Sequence, residues 1–234
     1  MSRFAGIREE CCAANFSLPA SGLVDLTFGN VSVLDPDAGV LAIKPSGVAY
    51  DRLTPADMVI LDLEGIVVEG SLRPSSDSPT HRRLFAAFPG IRSVVHTHSR
   101  HAVAFAQAGR DLPALGTTHA DYFHGNVPVT RALTDEEISA DYEWNTGEVI
   151  VEAFASLDAL AIPAVLVRHH GPFAWGHSGE KAVENALALE IVAEMAINAL
   201  ALDPAASPLP QTLMDKHFFR KHGSDAYYGQ SANG

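Results

Sequence analysis

The sequence has little of what several protein classes require. Only two of its 234 residues are cysteines, and the adjacency of Cys11 and Cys12 makes a bridge between them implausible. We therefore expect both to be buried, reduced thiols of a cytoplasmic protein. Cations are also scarce, because 16 Lys and Arg face 28 Asp and Glu and leave a net charge of −12. Binders of nucleic acid or anionic membranes normally present a basic face, so we expect neither partner.

Long apolar segments and nucleotide-binding motifs are missing too. Residues 1–15 contain Arg and Glu where a signal peptide has its apolar run, and three glutamates interrupt the apolar stretch 182–202. The sequence therefore predicts neither a secretory signal nor a membrane-spanning helix. It contains no G-x-G-x-x-G and no G-x-x-x-x-G-K-[ST], which disfavours enzymes of dinucleotides and nucleoside triphosphates.

The order of apolar segments predicts one α/β domain that covers residues 1–234. No repeat and no Pro/Gly/Ser-rich linker divides the chain, and helical and strand-like patterns alternate. Glu64-Gly65 between two short apolar runs is typical of a hairpin, so we expect a mixed or antiparallel sheet. Strands are predicted at residues 23–33 (interrupted at Gly29-Asn30), 40–43, 58–62, 66–69, 93–98 and 164–167. Helices are predicted at residues 7–18 and after the N-caps Ser78, Ser99, Thr134 and Ser178.

Histidine is the residue in surplus, with 11 copies against four lysines. His96 and His98 alternate along the predicted strand 93–98, so their imidazoles share a face with Cβ atoms about 7 Å apart. Both can reach one cation at a metal–nitrogen distance of roughly 2.0–2.1 Å. The alternative is a pair of polar residues on a solvated strand face. The Val-Val that precedes them and the turn that follows favour a metal site.

Two further residues could complete such a site. His170 follows the predicted buried strand 164–167 and precedes the turn Gly171-Pro172, which places an imidazole at a strand end. Asp77 stands directly before a predicted helix, where a carboxylate is also common because it interacts favourably with the helix N-terminus. His169 points away from His170 in an extended chain and is interpreted as structural.

Three turns offer N–H groups and hydroxyls of the kind that hold an anion. They are Gly29-Asn30-Val31-Ser32, Lys44-Pro45-Ser46-Gly47 and Ser75-Ser76. Each could also be an ordinary turn, and they are suggestive because all three accompany a histidine-rich site. Asp121 lies in a predicted polar loop. Tyr227 and Tyr228, close to the end of the chain, could carry chemistry or could anchor the tail.

Taken together, these residues resemble the class II aldolase/adducin-head family, and within it the sugar-phosphate epimerases. The stretches VVHTHSRHA, GTTHADYF, HGPFAWG and DKHFFRKHG carry the likeness, which extends from residue 26 to residue 230. The resemblance implies a three-layer αβα sandwich around a mixed, largely antiparallel sheet. It also implies a cytoplasmic homotetramer in which the C-terminal tail, about residues 208–234, completes the active site of a neighbouring subunit.

The resemblance also implies a role for each candidate residue. His96, His98 and His170 would bind a divalent metal, usually Zn²⁺ with Mn²⁺ or Co²⁺ as other possibilities, and Asp77 would ligate or face that metal. The substrate, chiefly its phosphate, would be held by Gly29, Asn30, Lys44, Ser46, Gly47, Ser75 and Ser76. Asp121 and Tyr228 would be the acid/base pair. Thr117, His217 and Arg220 would lie near the substrate.

The implied activity is the interconversion of L-ribulose 5-phosphate and D-xylulose 5-phosphate, as in arabinose catabolism. Deprotonation at C4 is difficult because that C–H is not next to the carbonyl. Cleavage of the C3–C4 bond, rotation of glycolaldehyde phosphate and re-addition are therefore expected. In the related L-fuculose-phosphate aldolases a Glu stands at the position of Asp77, so the Asp favours an epimerase. A class II aldolase is the alternative, and a non-enzymatic adducin-like scaffold is disfavoured because all three histidines are present.

Overall fold

The computed structural model describes residues 2–222, 226 and 227. In this part of the chain seven strands form one sheet in the order β4-β3-β2-β1-β5-β7-β6, and all neighbouring strands are antiparallel. The strands are β1 Asn30–Asp35, β2 Val40–Ile43, β3 Val59–Asp62, β4 Val67–Glu69, β5 Ser93–His96, β6 Ala164–Leu166 and β7 Pro172–Gly176. The helices are α1 Ala5–Ala20, α2 Ser78–Ala87, α3 Arg100–Ala108, α4 Thr117–Ala120, α5 Asp135–Ser139, α6 Tyr142–Ala153, α7 Gly179–Leu202 and α8 Gln211–His222.

The two faces of the sheet are covered by different helices, as strand β7 shows. Phe173 and Trp175 alternate along this strand and therefore share a face. Their rings contact His81 of α2 and Phe88 directly after it, at centroid distances of 6.0 and 5.0 Å. On the opposite face, Gly176 approaches the first turn of α7 so closely that a Cβ would lie 2.7 Å from its backbone. This arrangement confirms the predicted αβα sandwich.

Helix α7 is the longest apolar element and lies in the core. By length and composition alone it could cross a membrane. In the fold, however, one of its faces is buried where it packs across β5 and β7. Its Glu190 carboxylate accepts the backbone N–H groups of His101 and Ala102 at the start of α3. As predicted, the helix begins after Ser178, whose hydroxyl accepts the N–H of Lys181 at 3.1 Å.

Several local predictions are confirmed, because short-range chemistry determines them. Strand β2 has the predicted bounds, and β3 and β4 form the hairpin around Glu64-Gly65. Thr134 and Glu137 form the predicted capping box of α5. Helix α3 begins after Ser99 as predicted and ends at Gly109 in the left-handed region.

Three boundaries near the sheet edge were predicted wrongly. Residues 23–29 are not a strand, because positive φ angles at Leu26 (56°) and Gly29 (80°) turn the chain before β1. Strand β5 ends at His96 and not at residue 98, since its neighbour β1 begins opposite at Asn30 and offers no further partner. Helix α2 has Asp77, not Ser78, at its N-cap position, and the Ser78 hydroxyl donates back to Ser75.

Candidate active site

Three imidazoles converge at one edge of the sheet. His96 is the last residue of β5, His98 lies two residues beyond it, and His170 lies in the turn between β6 and β7. One nitrogen from each ring lies within 4.8 Å of the other two, and the Nε2 atoms of His96 and His98 are 3.1 Å apart. The strand alternation assumed from the sequence does not produce this proximity, because His98 is outside the strand. Beyond the end of β5, the path of the chain still places the His98 ring beside that of His96.

Antiparallel pairing explains why His170 reaches the other two. His96 pairs with Phe173, so the end of β5 and the start of β7 meet at the same edge. Gly171 then passes the segment after β5 at close range: a Cβ on it would lie 2.8 Å from the Thr97 carbonyl oxygen and 3.3 Å from the His98 ring. Glycine at this position therefore allows two distant segments to place their histidines together.

The donor set fits a divalent metal ion such as zinc. His96 Nδ1 donates to the Pro172 carbonyl at 3.0 Å, and because a carbonyl only accepts, Nε2 is the nitrogen of this buried ring that can ligate a metal. Burial, followed by the neighbouring His96 and His98, lowers the pKa of His170 to about 4. Burial also lowers the pKa of His98. Neutral imidazoles are the form that ligates a metal, and three protein nitrogens leave positions open for substrate.

Asp77 lies beside these rings and is ionised. Its Oδ2 accepts from the Asn30 amide at 2.6 Å. Burial acts to raise the pKa of Asp77, but His96, His81, the Asn30 hydrogen bond and His170 together hold it below its ordinary value. The carboxylate thus adds negative charge next to the three imidazoles, which favours a cation there.

A cavity of about 430 Å³ opens onto this cluster, and it contains every predicted phosphate-binding residue. Its lining includes the predicted residues Gly29, Asn30, Lys44, Ser46, Gly47, Ser75, Ser76, Asp77, His96, His98 and His170. These come from the loop before β1, the end of β2, the entry to α2 and the two histidine segments. The sheet topology brings all five segments to one edge.

Lys44 supplies the positive charge of this cavity. Its side chain is buried, and Nζ lies 4.8 Å from the centre of the Tyr50 ring and 3.4 Å from the Pro45 carbonyl oxygen. Burial lowers the pKa of the Lys44 ammonium. The backbone N–H groups of Ser46 and Ser75 bond to other backbone carbonyls, so these two serines offer their hydroxyls and not their amides.

The loop before β1 places an amide in the cavity. Gly29 has a φ of 80°, and a Cβ on it would lie 2.8 Å from the His96 carbonyl oxygen, so only glycine fits. Asn30, the next residue, donates from Nδ2 to Asp77, and its buried Oδ1 has no hydrogen-bond partner among the residues that the structure describes. A buried acceptor without a partner is costly. A substrate hydroxyl could satisfy it.

The remaining predicted residues form a second cluster, which does not line this cavity. Asp121, directly after α4, accepts from Arg220 through both carboxylate oxygens and from His217 at 3.0 Å. Burial acts to raise the pKa of Asp121, but Arg220, His217 and Lys221 hold it below its ordinary value. Thr117 begins the same short helix, and α8 carries the cationic partners. Tyr228 lies outside the described residues.

Four residues that line the cavity were not among the candidates from the sequence. Thr27 and Phe28 precede Gly29 in the chain, and Tyr142 and Glu143 begin α6. The Tyr142 hydroxyl lies 3.3 Å from Nδ1 of His170. No local pattern marks the pair, since a polar and aromatic helix start is common. Their role depends on the packing of α6 against α2, which only the fold reveals.

Comparison with known proteins identifies the family of the chain. The family model described as Class II Aldolase and Adducin N-terminal domain matches residues 9–197, so the chain belongs to this family. Curated relatives from Salmonella paratyphi C (strain RKS4594) and Salmonella typhi, both named L-ribulose-5-phosphate 4-epimerase UlaF, are each 52% identical over 96% of this chain and 98% of their own.

Solved structures of the family share the fold. An L-fuculose 1-phosphate aldolase aligns with a TM-score of 0.77 at 24% identity, covering 93% of this chain and 95% of its own. The l-fuculose-1-phosphate aldolase from Thermus thermophilus aligns with a TM-score of 0.67 at 28% identity, covering 87% and 98%. The predicted family and fold class are thereby confirmed.

The close packing at Gly171 leads to a first prediction. Gly171→Ala should weaken the binding of a divalent metal about tenfold and destabilise the fold by about 1–3 kcal/mol, because the added methyl pushes the segment after β5 away from His170. Chelator competition and thermal unfolding measure the two effects. Gly6→Ala in α1 is the matched control, because a Cβ there meets no atom within 4 Å. This variant should lower neither the metal affinity nor the stability of the fold. Unchanged metal affinity in Gly171→Ala would show that this contact does not shape the site.

Proposed function

We propose that the protein is an L-ribulose 5-phosphate 4-epimerase that uses a divalent metal, most simply zinc. The observation that carries the proposal is the single cavity that joins three histidines and an aspartate to the predicted phosphate-binding turns. The identity of 52% over nearly the full length of relatives with that name supports the substrate. The family resemblance implies a Glu at the position of Asp77 in the L-fuculose-phosphate aldolases, so the Asp favours epimerisation over aldol cleavage.

The residues of the cavity divide between binding and chemistry. Lys44 and the hydroxyls of Ser46, Ser75 and Ser76 hold the phosphate, and Asn30 accepts from a sugar hydroxyl. When bound by His96, His98 and His170, the metal supplies Lewis-acid stabilisation of negative charge on the substrate oxygens. Holding the phosphate keeps the cleaved fragment in place while it rotates about its remaining bonds. Re-addition to the opposite face then inverts C4.

The acid and base come from a neighbouring copy in this proposal. Cleavage needs a base for the C4 hydroxyl proton, and inversion needs a second group on the other face. Asp121 is ionised and so suits proton abstraction, but it lies with α8 and does not line the cavity of its own chain. Because α8 begins the tail of about residues 208–234, Asp121 and Tyr228 would enter a neighbour's cavity together.

This sharing of the site requires an oligomer. We propose a homotetramer of single-domain chains, with each active site between two subunits, and a cytoplasmic location that suits the two free, buried cysteines. The proposed substrate is a small sugar phosphate, as in arabinose catabolism.

One assay separates the proposal from its alternative. Purified protein is mixed with L-ribulose 5-phosphate, and D-xylulose 5-phosphate is measured with and without chelator. We expect epimer to form only with metal. Metal-dependent release of free aldehyde without epimer, or cleavage of L-fuculose 1-phosphate at a comparable rate, would establish the aldolase instead. Activity that survives complete metal removal would contradict both.

Lys44 offers a prediction about substrate binding. Lys44→Met should raise KM for the sugar phosphate roughly 10–100-fold, because a charge-assisted hydrogen bond to phosphate is lost, and should leave zinc affinity unchanged. Lys181→Met is the control, since Lys181 pairs with Glu184 and does not line the cavity. Steady-state kinetics and chelator competition provide both measurements. An unchanged KM would remove Lys44 from the phosphate site.

The same residue predicts a pH dependence. Because burial lowers the pKa of Lys44, its positive charge is lost at a lower pH than that of an exposed lysine. In the wild type, kcat/KM should therefore decline as pH rises through that lowered pKa, and this limb should be absent from Lys44→Met. A limb that persists in the variant would belong to another group.

A further inference from the structure

Tyr142 was not predicted as a metal ligand, but its hydroxyl contacts the candidate metal centre. Tyr142 is the first residue of α6, is partly buried, and places its Oη 3.3 Å from Nδ1 of His170. The centroids of the two rings are 6.2 Å apart, and the ring planes are tilted by 32°. Within the described part of the chain, no other group hydrogen-bonds to the His170 ring.

The chemistry of imidazole makes this contact consequential. A neutral imidazole carries one proton, and only the nitrogen without it can ligate a metal. A ligating histidine therefore needs a partner that accepts the proton on its other nitrogen, and such partners also fix the angle of the ring. In this centre the Pro172 carbonyl is that partner for His96.

Among the residues that the structure describes, no carbonyl accepts from the His170 ring. This histidine lies in the turn between β6 and β7, where the preceding His169 has a φ of 63°. A tyrosine hydroxyl can accept from Nδ1–H as a carbonyl does, which leaves Nε2 free for the metal. A hydroxyl can also donate, but if a metal were bound at Nε2, Nδ1 would carry the ring's proton and Oη would accept it.

We propose that Tyr142 is a positioning residue, which accepts the Nδ1 proton of His170 and holds the ring with Nε2 toward the metal. This inference rests on the metal centre of the proposed function and extends it by one residue. Tyr142 acts through His170 and is not itself a ligand.

Tyr142→Phe tests the proposal, since it removes one oxygen and keeps the ring that packs at the start of α6. The zinc dissociation constant, measured without substrate by competition with a chromophoric chelator, should rise about 10–100-fold. The thermal stability of the metal-free protein should stay the same. Tyr122→Phe is the matched control, because that hydroxyl donates to Glu184 and does not line the cavity, and its zinc affinity should equal the wild type.

A double-mutant cycle separates positioning from a general structural effect. If Tyr142 acts through His170, adding Tyr142→Phe to His170→Asn should change the zinc dissociation constant by less than about twofold. A wild-type zinc affinity in Tyr142→Phe overturns the inference. It is also overturned if Tyr142→Phe lowers the zinc affinity of His170→Asn as much as it lowers that of the wild type. If His96→Asn also keeps zinc, the metal centre itself is wrong and the proposed function falls with it. If only Tyr142→Phe keeps zinc, the proposed function stands.

Discussion

Replacing His96 with Asn is expected to weaken zinc binding so strongly that the purified protein carries little zinc, and to lower turnover at least roughly a thousandfold, the factor that corresponds to about 4 kcal/mol of lost transition-state stabilisation. The physical reason is the position of this ring. It is buried, it is locked by the Pro172 carbonyl, and its Nε2 lies 3.1 Å from that of His98. Asn can still donate to a carbonyl, so we expect the fold to persist.

His169 offers a control substitution directly next to a predicted metal ligand. His169 precedes His170 but is exposed, and its φ of 63° lies in the left-handed region that Asn also tolerates. His169→Asn should therefore keep metal, stability and turnover. Metal analysis of the purified proteins, circular dichroism and the epimerase assay are the measurements. Zinc at full stoichiometry in folded His96→Asn would rule out the three-histidine centre.

Asp121→Asn is expected to keep the metal and lose about 10²–10⁴-fold in turnover, because an amide cannot take a proton from the C4 hydroxyl. The variant also weakens the contact of α4 with Arg220 and His217. Asp215→Asn controls for this structural part, since Asp215 also tethers α8, through His124 at 2.7 Å, and is proposed for no chemistry. Tyr228→Phe, outside the described residues, should behave like Asp121→Asn.

Mixing two inactive variants tests whether the site is shared between subunits. If Asp121 serves a neighbour's metal, hybrids of His96→Asn and Asp121→Asn chains contain some sites with both parts intact. Denaturing and refolding the two variants together should then restore a fraction of wild-type activity, while each refolded alone stays inactive. No recovery, with mixed oligomers shown to form by mass spectrometry, would place the acid/base pair and the metal on one chain. Full activity of Asp121→Asn would remove that residue from the chemistry.

The parts of the fold that were predictable depend on short-range interactions. The apolar run of β2, the hairpin turn at Glu64-Gly65 and the capping box of Thr134 and Glu137 are each decided within a few residues. Helix α8 was not predicted, because its cations, aromatics and histidines show no clear apolar periodicity. It is held instead by long-range contacts to α4, among them those to Asp121, about a hundred residues earlier.

The candidate site divides in the same way. His96, His98 and His170 were predictable because metal-binding residue types followed Val-rich segments and preceded turns. The reason given for the first pair was wrong in detail, since His98 lies beyond the end of β5. Tyr142 and Glu143 could not be predicted, because nothing near them in the chain indicates where α6 will pack. In the fold, α6 meets the edge of the sheet at which β5 ends and β7 begins.

By itself, then, the sequence determined which chemical groups are available. The chain is acidic and rich in histidine, and it has hydroxyl-bearing turns, one of them with a lysine, that can bind an anion. Only the tertiary structure decided which of these groups share a cavity and which do not. The reason is that antiparallel pairing of β1, β5 and β7 collects segments separated by more than a hundred residues at one edge. The same topology leaves Asp121 with α8, away from the cavity of its own chain.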